Sequence, residues 1–105
     1  MPKRQSMRRV KSDLVQGEGS YIDMRQIPYG MIAEARKMKA AGEVDEVEYT
    51  RDLVNKIVAG WNWVDDEDIP LPTPGEDPDV IDRLLASEVA FIVQQVQNIG
   101  ADLKN

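Results

Sequence analysis

The chain has 105 residues and a mass of 11.8 kDa, enough for one domain at most and only a modest core. It carries no Cys and no His, which excludes disulfides, thiolate zinc sites, cysteine nucleophiles and imidazole acid–base catalysis. A net charge of −6, a mean hydropathy of −0.45 and the lack of any apolar run near the roughly 20 residues of a membrane helix argue against a membrane protein, so the cytoplasm is the expected compartment.

Charge is unevenly placed. Lys3, Arg4, Arg8, Arg9 and Lys11 supply 5 of the 13 basic residues before any acidic residue appears, leaving a net of −11 for the remainder. Residues 1–19, polar and ending in Gln16-Gly17-Glu18-Gly19, have the composition of a flexible basic arm ahead of a single helical domain at 20–105. Such an arm suits weak, salt-sensitive contacts to phosphate or to an acidic protein surface. The acidic body repels nucleic acid, which is therefore not an expected partner.

Tyr21 to Ile27 roughly alternates apolar and polar residues and stops at Pro28, the pattern of an extended segment or edge strand that needs a pairing partner. Helical spacing then places Met31, Ile32, Ala35 and Met38 on one face, with Gly42 as a stop. Asp45 and Glu48 resemble a capping box opening a second helix, whose apolar stripe is Leu53, Val54, Ile57, Val58 and Trp61. Residues 60–76 hold Asp65-Asp66-Glu67-Asp68, Pro70, Pro72 and Pro74, and predict a stiff acidic connector. Asp77-Pro78 starts a short helix with Val80, Ile81, Leu84 and Leu85, and Ser87 caps a last one with Val89, Ile92, Val93, Val96 and Ile99, ended by Gly100. The expected architecture is mainly α: about four short helices, one N-terminal extended segment or edge strand, and the basic arm.

The remaining carboxylates, Lys, Tyr and Ser form no recognisable catalytic arrangement, so neither an enzyme nor a cofactor is expected. The consecutive acids Asp65 to Asp68 lack the alternation, the glycine turn and the distal Glu of a calcium loop, and no metal is expected there. Trp61 and Trp63, taken as the end of a helix, cannot share a helical face. With so few aromatics in the chain, core packing of both is the expected reading; the alternative packs one in the core and the other beneath the connector or in an interface.

The run Gly19-Ser20-Tyr21-Ile22-Asp23-Met24-Arg25-Gln26-Ile27-Pro28-Tyr29-Gly30 and the stretch from Val58 to Pro74, with Gly60-Trp61-Asn62-Trp63-Val64-Asp65-Asp66-Glu67-Asp68-Ile69-Pro70-Leu71-Pro72 at its centre, resemble the small tail assembly chaperones of tailed bacteriophages. Where that family often has Gly after the aspartates, this chain has Asp68-Ile69. The resemblance implies a non-catalytic factor in the bacterial host cytoplasm that binds the long helical tape measure protein and recruits tail tube subunits. A structural virion protein of the tail or head–tail connector, or a small acidic regulatory adaptor, are the alternatives.

Four short helices and one strand leave apolar stripes that so small a chain has difficulty covering, and a homo-oligomer is expected. The candidate protein-binding residues are Tyr21, Arg25, Trp61, Trp63 and Leu71, with Phe91, Ile92 and Val96 on the last helix.

Overall fold

A computed structural model describes residues 2–4, 6–42 and 45–102, with side chains up to residue 96. In chain order it contains β1 (Met7–Lys11), α1 (Asp13–Gln16), β2 (Tyr21–Arg25), α2 (Tyr29–Ala40), α3 (Glu46–Ile57), β3 (Val58–Trp61), a 3-10 helix (Pro78–Arg83) and α4 (Ala86–Asp102). The strands form one antiparallel sheet in the order β1-β2-β3. At 49% helix and 17% strand this is a small α/β domain, which corrects the mainly α expectation.

Two strands account for the correction. The basic segment expected to be flexible supplies β1, paired residue by residue with β2 from Met7–Arg25 to Lys11–Tyr21. Its pattern is hidden because Val10 is the one apolar side chain it packs against the core, while its remaining residues are exposed. The second missed strand follows α3 without a loop. At Val58 the backbone turns extended (φ −78°, ψ 114°), and Met24 pairs with Val58 and Ile22 with Trp61, around an irregularity at Asp23/Met24. A β-branched pair followed two residues later by Gly60 opposes continued helix and favours a strand with a bulge.

Strand periodicity then decides which side chains point inward. Ile22 and Met24 are buried, whereas Tyr21, Asp23 and Arg25 lie on the opposite face. Val54 and Ile57 of α3, Val58 of β3, Trp63, Leu71, Val80, Leu84 and Ile92 of α4 complete the core. Full burial of one such aliphatic side chain contributes roughly 1.5–3 kcal/mol.

Other local expectations fare differently. Asp45 does cap α3, its carboxylate accepting the Val47 and Glu48 N–H groups at 2.9 and 3.2 Å. The short helix after Asp77-Pro78 is 3-10 rather than α, and α4 runs through Gly100 to Asp102. The side chain of Ile99 lies outside the described residues. No described helix is long and apolar enough to cross a membrane. The radius of gyration is 14.4 Å, against about 13 Å for a tightly packed domain of this length.

Candidate functional site

Helix α2 is built from good helix formers (Met, Ala, Glu, Arg, Lys) but has not one buried residue along its 12 positions. Pro28 fixes its start and Gly42, at φ 72°, its exit. Exposed Tyr29, Met31 and Met38 give it an apolar surface that nothing among the described residues covers fully. Lys39 ties its far end to α3, with Nζ 3.7 Å from Glu46 and 5.8 Å from the Tyr49 ring centre. Both partners of that ion pair are largely solvated, so it holds α2 weakly.

Between α2 and the α3/α4 pair runs an apolar groove of about 260 Å³. Met31, Ile32 and Ala35 form one wall, Tyr49 and Leu53 of α3 the other, and Val93 and Val96 of α4 the floor. A second hollow of about 110 Å³ extends it past Ile27, Ile32 and Val96 towards Tyr29, Ile57 and Arg25. Its rim is polar: Arg36 and Lys39 on one side, Glu46 and Thr50 on the other. An apolar trench with a charged rim is the form that receives the apolar stripe of an amphipathic helix.

The candidate residues named from sequence separate into three groups. Trp63, Leu71 and Ile92 are core residues, exposed by 0%, 6% and 0%. Trp61 and Phe91 are half-buried against that core, and Tyr21 lies on the outer sheet face, where the Arg9 guanidinium covers its ring at 3.8 Å. Only Arg25 and Val96 reach the groove. Arg25 also donates to the carbonyls of Lys56 (3.3 Å) and Val58 (3.1 Å), fixing the junction of α3 and β3. Among the groove residues missing from that set, Met31, Ile32 and Ala35 of α2 carry a readable signal. The stripe on α2 is legible in sequence, but a stripe does not say whether the chain itself covers it.

The tryptophan segment is a structural hub. In extended backbone, residues two apart share a face, so Trp61 and Trp63 stack. Trp61 Nε1 donates to the Leu71 carbonyl at 3.2 Å, which places this ring beneath the connector. Trp63 Nε1 donates to Ser12 Oγ (2.9 Å), Ser12 to Ser20 Oγ (2.8 Å) and Ser20 to the Gly17 carbonyl (2.7 Å).

A polar hollow near α1 is lined by Gln16, Asp65, Asp66, Asp68, Arg83 and Glu88. Glu88 is 4% exposed, yet both its oxygens have partners: Oε1 accepts the Leu85 N–H at 2.8 Å and Oε2 accepts from the Gln16 amide. Gln16 meanwhile bonds both backbone groups of Val64. The arrangement clamps α1, the connector and α4 together. Among the described residues no group of three or more carboxylates could hold a metal ion.

Among the described residues three ionisable groups are perturbed, all in surface pairs. The hydrogen bond from Arg51 holds the Asp82 carboxyl below its ordinary range, and the same bond raises Arg51; Asp23 likewise raises Arg9. None of them lines the apolar groove between α2 and the α3/α4 pair. Neither the protein-family models, nor the curated proteins, nor the solved structures give a match to this chain, so the groove's own chemistry is the guide to what it holds.

Proposed function

We propose that this protein is a non-catalytic tail assembly chaperone of a tailed bacteriophage. In this reading it acts as a homo-oligomer in the host cytoplasm, its groove shields an amphipathic helical stretch of the tape measure protein, and the complex helps to recruit tail tube subunits. Helix α2 supports the reading most directly, since it stands without a buried residue beside an apolar groove floored by Val93 and Val96. A long helical client exposes apolar stripes that aggregate unless covered. A small groove gives modest affinity per subunit, which permits release, while several subunits on one client provide retention.

Co-expression with a tape measure protein tests the reading. Wild-type chain should keep that client soluble and co-purify with it. Met31→Glu and Ala35→Glu should each lose the client while keeping the fold, because α2 buries neither residue. A client that aggregates with or without the wild-type chain, and never co-purifies, overturns the proposal.

A further inference from the structure

The outer margin of β1 is one of the two edges of the sheet, and it is strongly basic. Of its cations, Arg9 is engaged by Asp23 at 2.8 Å and lies over Tyr21, whereas Arg8 and Lys11 have no ion-pair partner among the described residues. Lys3 and Arg4 precede them and are exposed as well, and Met7 adds an apolar side chain with 57% of its surface open. Like charges along this edge oppose its pairing with the same strand of another copy, as cationic edge strands commonly do.

The complement to this edge is on the same molecule. The bridge between Val64 and Pro70 closes a tight turn that projects Asp66, Glu67 and Asp68, all exposed, together with Ile69 at 53% exposure. Asp65 holds the turn from inside, accepting the N–H groups of Glu67 (2.8 Å) and Ile69 (3.1 Å). No described ion pair joins this turn to β1 within one copy.

We infer that the β1 edge of one copy receives the acidic Asp66–Ile69 turn of a second copy. Free carboxylates meet free cations, and Ile69 meets Met7. The two surfaces differ, so the contact is heterologous and propagates head to tail, each copy offering an edge to one neighbour and a turn to the next. A nucleic acid fits the edge less well, because the rest of the chain carries a net −11 that would face the same polyanion. The inference builds on the homo-oligomer of the proposed function and is independent of the client, whose binding is read separately at the groove.

Sedimentation of the full chain at low and high salt tests it. At about 50 mM salt the mass should rise above the monomer's 11.8 kDa with concentration, and at about 500 mM it should fall back to it. Arg8→Glu/Lys11→Glu, and separately Asp66→Lys/Asp68→Lys, should each weaken association about tenfold or more at low salt. An equimolar mixture of the two variants should associate again, since each now carries the charge the other needs; this rescue separates a lost contact from a lost fold. A monomer at low salt, association indifferent to both variants, or mixing without rescue overturns the inference. So does tight, salt-sensitive binding of a short DNA duplex to the basic edge in place of self-association.

Discussion

The indole rings of Trp61 and Trp63 lie 4.8 Å apart between centroids and within 2° of parallel. Two residues apart in extended chain, they join the connector to the N-terminal turn through the bonds to Leu71 and Ser12. The stack has a spectroscopic signature, an exciton couplet in far-ultraviolet circular dichroism. Trp61→Phe should abolish the couplet with a modest shift of the urea midpoint. Trp63→Phe also leaves Ser12 without its donor and should lower stability by about 1–3 kcal/mol. Trp63→Ala, at about 3–5 kcal/mol, approaches the whole stability of so small a domain and should leave it unfolded.

Removing residues 1–11 should be costly. β1 covers one side of β2, and Val10 packs against the core. Truncation should lower stability by about 2 kcal/mol or more, read as a fall in the thermal midpoint. An unchanged midpoint would mean that this segment is dispensable, as a flexible arm would be.

Glu88 accepts from the Leu85 N–H and from the Gln16 amide at the junction of α1 and α4. Glu88→Ala should remove the acceptor of the Leu85 N–H and one of the two bonds that the Gln16 amide donates, the other going to the Val64 carbonyl, and lower stability by about 1–3 kcal/mol in urea titrations. Glu88→Gln keeps the volume and one acceptor oxygen, and should cost less. Equal costs for the two would show that volume, not acceptance, matters there.

The pH dependence follows from Asp82. Its carboxyl is lowered in the folded chain by the hydrogen bond from Arg51, so at a given acidic pH the unfolded chain binds more protons. The Arg51–Asp82 contribution is therefore fully present above the ordinary carboxylate pKa and disappears as pH falls through the lowered value. Asp82→Asn should flatten the acid limb of the stability–pH curve, measured as urea midpoints between neutral and acidic pH. Arg51 and Arg9 are raised, so their contributions persist throughout neutral and mildly alkaline solution.

Helices α2 and α3 were legible because period and punctuation agree. Pro28 and Gly42 bracket the first, and Asp45 caps the second. Strand β1 was illegible because an edge strand needs only Val10 on its inner face, and five cations within the first eleven residues read as a solvated tail. β3 was illegible because Val58 and Trp61 satisfy helical spacing after Ile57 as well as they satisfy strand pairing. Only the tertiary partner, β2, decides between the two. The same ambiguity hid the tryptophan stack and put Trp63 among the candidate binding residues, although it is fully buried. The groove was half legible: its α2 stripe is a pattern, but its opposite walls come from α3 and α4, which sequence spacing does not bring together.

Helix α3 passes into β3 with no residue between Ile57 and Val58. A partner that shifts α3 on entering the groove should therefore shift β3, the strand that carries Trp61, and alter its stack on Trp63. Filling the groove should thus register as a change in tryptophan emission, giving the protein an intrinsic gauge of its own occupancy.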